Sequence, residues 1–367
     1  MTDRRGDDRP RGSAIASTSL SRRAGVVGRG DDRPTGSDMA STSALATSAL
    51  ATSALATPAP ATWVAAPPDP ATSVSSAVAS ELVRDLVTGP VRRATVVAAG
   101  PAAVYLGVGT RLLAVVAPGG VQLPCALVLT ADGLPLAGLG QLGGPGRAGR
   151  AGLAVGQGAV HQGGRRVVGI SRWFDPLVRV GDVDPAAVAR LATAVWSRRR
   201  RDPLLPADAV DRLADGLARG DVHRAVAALL GRGTGLTPAG DDLVAGVLAA
   251  LRAVGSPVAD DLGKHVRALA PVATSRLSAA LLDAAGLGAI IPEAAGVLRA
   301  LAGVEASAGN GDGPARLEAA VARLVGVGHT SGWHLAAGLL VGLSHARDPA
   351  NAPAAPGQAL AAGGSAS

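Results

Sequence analysis

The segment 231–242 reads Gly-Arg-Gly-Thr-Gly-Leu-Thr-Pro-Ala-Gly-Asp-Asp and concentrates residue types suited to a small anion. Thr237 followed by Pro238 predicts a helix start: a hydroxyl acceptor at the N-cap, then a residue with no amide hydrogen to leave unpaired. Gly231, Gly233 and Gly235 let the backbone approach a ligand and present free N–H groups at the positive end of that helix. Arg232, Gly233, Gly235, Thr237 and Gly240 form the candidate anion-binding set of this segment. A Walker A loop is excluded, because no lysine follows and the spacing differs. Asp241 and Asp242, about one turn in, suit the helix dipole but would repel a bare phosphate. A divalent cation such as Mg2+ on the two aspartates, an amide NH2 donor of the ligand, or Arg232 would have to reconcile them. In the plainer alternative, Gly231 caps the preceding helix and the aspartates tune its dipole. The combined pattern favours a ligand.

A second segment, 326–333, reads Gly-Val-Gly-His-Thr-Ser-Gly-Trp and precedes an apolar helix. Thr330 or Ser331 can cap that helix. His329 stands just outside it, where an imidazole can bind a metal, act as acid or base, or donate to an oxyanion near neutral pH. The plainer alternative is a histidine bonded to a neighbouring carbonyl. A third polar start, Thr274-Ser275-Arg276, opens another helix. These residues predict catalytic roles for His329, Asp241 and Asp242 and anion contacts from Thr274, Ser275, Thr330 and Ser331. If the three segments form one site, their helix N-termini must converge, and the aspartates or a bound anion must offset the converging dipoles.

Taken together, the segments 231–242, 274–278 and 328–333 resemble the AllH-like family, linked to a subunit of oxamate carbamoyltransferase. The resemblance spans roughly 80–345 and is most specific in the helical half. Ala239 stands where serine is usual, which removes one hydroxyl. The resemblance implies a subunit of a carbamoyl-transferring complex in allantoin nitrogen catabolism, with other subunits as partners. That complex would convert oxalurate and phosphate to oxamate and carbamoyl phosphate, or run the reverse. Whether this chain would itself be a carbamoyltransferase or only support its partners stays open at this stage. The alternative is a non-catalytic module that binds a small anion or a nucleotide.

The elements that must position these residues fall into two patterns. Runs at 94–98, 103–108, 111–116, 126–130, 153–155 and 167–170 are short, apolar and punctuated by glycine, and predict strands. After Asp184-Pro185, an N-cap with proline behind it, the period becomes helical. Helices are predicted near 206–219, 221–230, 238–253, 258–269, 275–285, 292–302, 315–325 and 333–345. The expected fold is α+β: a small β-rich N-terminal domain (73–183) followed by a larger all-helical C-terminal domain (184–347). Trp173-Phe174-Asp175-Pro176 reads as the seam. Residues 1–72, with short repeats and few large side chains, and 348–367, rich in Ala, Pro and Gly, read as disordered.

Composition bounds the partners. The 35 basic residues against 28 acidic ones give +7, but all except Lys264 are arginines. Paired with 50 glycines, this fits a GC-rich coding bias as well as any function. One Tyr and one Phe provide no base-stacking platform, so nucleic acid is not expected. The run 198–201 ends a helix, where cations suit the dipole. Cys125 is the one cysteine, which excludes an intrachain disulfide and a Cys-based zinc site. No apolar run is long enough for a membrane span and no signal peptide opens the chain, so a cytoplasmic location is expected.

Overall fold

The computed structural model describes residues 74–130, 152–303 and 313–347. Both segments expected to be disordered, 1–72 and 348–367, lie outside the described residues.

Among the described residues, nine strands build one mixed sheet. They are β1 (Ser75–Ser80), β2 (Arg92–Arg93), β3 (Thr95–Ala99), β4 (Ala103–Val108), β5 (Arg111–Val116), β6 (Ala126–Leu129), β7 (Leu153–Gly156), β8 (Ala159–Gln162) and β9 (Arg165–Phe174). Their order across the sheet is β2-β7-β8-β9-β1-β6-β5-β4-β3. The two outermost strands are therefore neighbours in sequence, separated only by Ala94. The Ala94 amide donates to the Leu153 carbonyl at 2.8 Å, while Thr95 pairs with Gly107 on the other side. One bent segment thus serves both edges, and the sheet curls into a nearly closed barrel, which leaves little edge unpaired. Val104, Leu106, Leu113, Leu127, Val160 and Val168 are buried in it. A 3-10 turn (Glu81–Val83) and a short helix, α1 (Arg84–Thr88), follow β1.

Nine further helices follow among the described residues: α2 (Pro185–Trp196), α3 (Ala209–Ala218), α4 (Val222–Leu229), α5 (Ala239–Ala253), α6 (Val258–Ala273), α7 (Arg276–Gly286), α8 (Pro292–Leu301), α9 (Gly313–Val325) and α10 (Ser331–Ala346). Asp184 caps α2 as its sequence predicts, accepting from the Ala186 amide at 3.1 Å. α5 and α10 are apolar on nearly every face, as helices enclosed by others must be. They run side by side in the same direction and touch backbone to backbone. A Cβ on Gly246 would lie 2.3 Å from the Leu335 carbonyl oxygen, and one on Gly338 would lie 2.1 Å from that of Leu243. Only glycine permits that approach, and it brings the two helix N-termini to one place.

The expected division into a small β-rich domain and a larger all-helical one is corrected. A single hydrophobic core runs from Ala77 to Leu343 through the barrel and the helices, and all described residues lie in one compact unit. Arg276, at the start of α7, donates to the carbonyls of Gly109 and Arg111 in the β4–β5 turn. The segment after the Trp173–Pro176 run is also stitched to helices: Val178 donates to Gly288 at 2.9 Å and Val180 to Ala253 at 2.9 Å. The switch from strand to helix periodicity at Asp184 marks a change of element type, and periodicity carries no information on whether the cores on either side are separate.

Candidate functional site

The glycine-rich loop between α4 and α5 has a conformation that only its glycines tolerate. Gly233 has φ +125° and Gly235 has φ +89°, and a Cβ on Gly233 would lie 2.3 Å from the Ala239 nitrogen. The amides of Gly233, Gly235, Leu236 and Thr237 make no hydrogen bond among the described residues. Thr234 between them is anchored: its amide and hydroxyl both donate to Asp202 Oδ2, at 2.9 and 2.7 Å. Asp202 is itself buried and also accepts from the Leu204 amide at 2.9 Å. These bonds hold its carboxyl below the ordinary carboxylate range, against the opposing effect of burial.

Helix α5 begins one residue later than the Thr237 cap predicts. Pro238 occupies the N-cap position, and its carbonyl accepts from the Asp241 amide at 2.9 Å and the Asp242 amide at 3.2 Å. The Thr237 hydroxyl is engaged elsewhere, on Ser331 Oγ at 3.0 Å. Ser275, in contrast, does cap α7: its hydroxyl accepts from the Ser278 amide at 3.0 Å and donates to the Leu236 carbonyl at 2.6 Å. Neither Thr330 nor Ser331 caps α10 through its side chain. The N-cap residue is Thr330, whose carbonyl takes the His334 amide at 3.2 Å and faces His334 Nδ1 at 2.9 Å.

Asp241 is buried and ties two of the segments together. Its Oδ1 accepts from the Gly231 amide at 2.7 Å, and its Oδ2 accepts from the Thr274 hydroxyl. Burial pushes its carboxyl upward, while Thr274, Gly231 and Ser278 pull it down. Asp242 is different. Its Oδ2 is closed off from solvent without a hydrogen-bond partner. Burial, reinforced by the charge of Asp241 and opposed by Ser331, raises its carboxyl to about 8. At neutral pH Asp242 is therefore mostly a neutral acid, a proton donor rather than a repelling charge.

The structure thus brings Gly231, Thr237, Asp241, Thr274, Ser275 and Ser331 into one hydrogen-bonded junction of three helix starts. Gly240 is buried within it, and its amide donates to the Arg232 carbonyl at 2.7 Å. Arg232 is exposed, with no ion pair among the described residues. His329 is exposed on the turn before α10 and makes no hydrogen bond among the described residues. Arg276 faces the barrel and not the junction. Both Asp241 oxygens already hold donors, and no group of three or more potential metal ligands gathers among the described residues, so the two aspartates do not by themselves form a cation site.

Sequence reasoning missed Asp202, Thr234 and His334. Thr234 lies inside the motif between two glycines, and nothing in the local pattern marks its pairing with Asp202. His334 is buried beside Trp333, whose indole donates to the Val195 carbonyl at 3.0 Å. Its spacing of four from Thr330, on an otherwise apolar helix, was the available signal.

A glycine-rich loop with amides unbonded among the described residues, set where three helices begin, leaves backbone N–H groups available to a ligand. Residues 229–343 match the family model described as oxamate carbamoyltransferase subunit AllH. The matched segment contains all three motifs and ends within α10; the barrel lies outside it. No curated protein and no solved structure matches the chain. No described helix is long and apolar enough to cross a membrane.

Proposed function

We propose that the chain is a subunit of a carbamoyl-transferring complex that cleaves oxalurate with phosphate to oxamate and carbamoyl phosphate, or catalyses the reverse, in allantoin nitrogen catabolism. The family description names such a subunit, which implies partner subunits. The observation that carries the reading is the loop whose amides at Gly233, Gly235 and Thr237 make no hydrogen bond among the described residues, just ahead of the helix turn that holds Asp241 and Asp242.

In this reaction a phosphate oxygen attacks the carbamoyl carbon of oxalurate, and the bond from that carbon to the nitrogen retained by oxamate breaks. The departing nitrogen gains one proton and the attacking phosphate loses one, so the exchange balances. The amides of Gly233, Gly235 and Thr237 would hold the phosphate, with Arg232 adding charge from the rim. Asp242 would donate to the departing nitrogen and recover its proton from the phosphate side. Asp241, held by Gly231 and Thr274, is a positioning residue that fixes the loop. His329 would polarise the carbonyl from the adjoining turn, and Ser331 with Thr330 would complete that wall.

Carbamoyl phosphate release from oxalurate and phosphate, assayed with the chain alone and with its partner subunits, tests the reading. Turnover in either setting supports it, and none in both refutes it.

A further inference from the structure

A separate hollow of about 530 Å³ opens beside the end of α2 and the first turn of α10. That is within the size range of small-molecule pockets. Arg199, Arg200, Arg201, Asp202, Trp333 and His334 contribute to its lining, and none of the loop residues 231–242 does. The last three are buried, whereas the arginines are exposed.

The polar groups of this lining are not equally available. Arg199 lies over the Trp196 ring, 5.4 Å from its centroid, and donates to the Ala207 carbonyl. Asp202 is filled by Thr234 and Leu204, and the Trp333 indole is used by Val195. Arg200 and Arg201 have no ion pair or hydrogen bond among the described residues. His334 Nδ1 faces a carbonyl, which can only accept, so Nδ1 carries the proton. The neutral ring then leaves a lone pair at Nε2, which has no partner among the described residues, and the residue lines the cavity. Burial favours that neutral form.

We propose that this cavity binds a small carboxylate that also carries an N–H donor at its other end. The carboxylate would sit on Arg200 and Arg201, and the N–H would donate to His334 Nε2. A bare dianion fits less well, because its second charge would face the imidazole lone pair. The inference rests on this cavity alone and does not require carbamoyl transfer.

Succinamate and succinate form a matched probe pair, alike in length and differing in an amide against a second carboxylate. Each would be titrated into the full chain carrying 15N-labelled histidine, with the His334 signals assigned through His334→Gln. Succinamate should shift the His334 Nε2 signal saturably, and succinate at equal concentration should bind several-fold more weakly. The double variant Arg200→Ala/Arg201→Ala changes only exposed side chains and should weaken succinamate binding by about tenfold or more. No saturable shift by about 10 mM succinamate would overturn the proposal. So would equal binding of succinate, or an unchanged affinity in the double variant. Because the readout is binding, an absence of carbamoyl transfer would not affect it.

Discussion

Thr237 and Ser331 stand 94 residues apart in sequence and share a hydrogen bond of 3.0 Å between their hydroxyls. The contact joins the glycine-rich loop to the start of α10 (Ser331–Ala346). It exists because α5 (Ala239–Ala253) and α10 pack in the same direction through Gly246 and Gly338. Like helix ends brought together repel, and Asp241 at the start of α5, whose two oxygens accept hydrogen bonds, offsets that cost.

The Thr237–Ser331 bond should be measurable as a coupling. Thr237→Val and Ser331→Ala each remove one hydroxyl with little change of volume. In a double-mutant cycle by urea denaturation, the pair should couple by about 0.5–1.5 kcal/mol. Strict additivity would show that the contact contributes nothing in solution.

Asp241→Ala leaves the Gly231 amide and the Thr274 hydroxyl without their shared acceptor. Both lie in a partly closed junction, so a loss of about 2–4 kcal/mol is expected from chemical denaturation. Asp241→Asn keeps one acceptor oxygen and should lose less. Equal losses would contradict the assigned bonding.

Much of this arrangement is legible in the sequence. The strands 103–108 and 111–116 fall where short apolar runs and glycine punctuation place them, and the eight helices fall within a few residues of their periodic segments. Asp241, Thr274 and Ser331 belong to the three segments whose helix starts must converge if they form one site. What was not legible is long-range. Strand β1 (Ser75–Ser80) is short and rich in serine and alanine, and only its pairing with β6 and β9 makes it a strand. The closing of the sheet through Ala94 depends on which strands pair, which local pattern does not encode. Gly338 and Gly342, four apart in an apolar helix, signalled a close helix contact without naming Gly246 as its partner. Helix caps went astray where a better partner existed: Thr237 has a capping residue's chemistry but finds Ser331 instead.

That helix contact is itself testable. Gly338→Ala would place a methyl 2.1 Å from the Leu243 carbonyl oxygen, where no side chain can yield. The helices would have to separate, at a cost of about 1–3 kcal/mol or more, and thermal unfolding should fall accordingly. An unchanged melting temperature would mean that the two helices are not in backbone contact.

Asp242 should imprint a pH dependence on stability. Its folded-state carboxyl lies at about 8 against 3.8 for the free group, so the folded chain holds a proton that the unfolded chain releases. Its contribution is fully present below about 4 and is lost as pH rises toward 8, with a slope approaching 1.4 kcal/mol per pH unit. Denaturation of the wild type and of Asp242→Asn across this range isolates the effect. The wild type should weaken relative to the variant as pH rises; parallel curves would show that Asp242 is ionised in the folded state.

The central claim is that Asp242 supplies the proton for carbamoyl transfer beside a phosphate held by the loop amides. Its most direct measurement is kcat for carbamoyl phosphate release from oxalurate and phosphate in the assembled complex, comparing wild type with Asp242→Asn. The substitution preserves shape and removes the proton, so kcat should fall by about 100-fold or more with assembly intact. Turnover by Asp242→Asn at the wild-type rate would contradict the account.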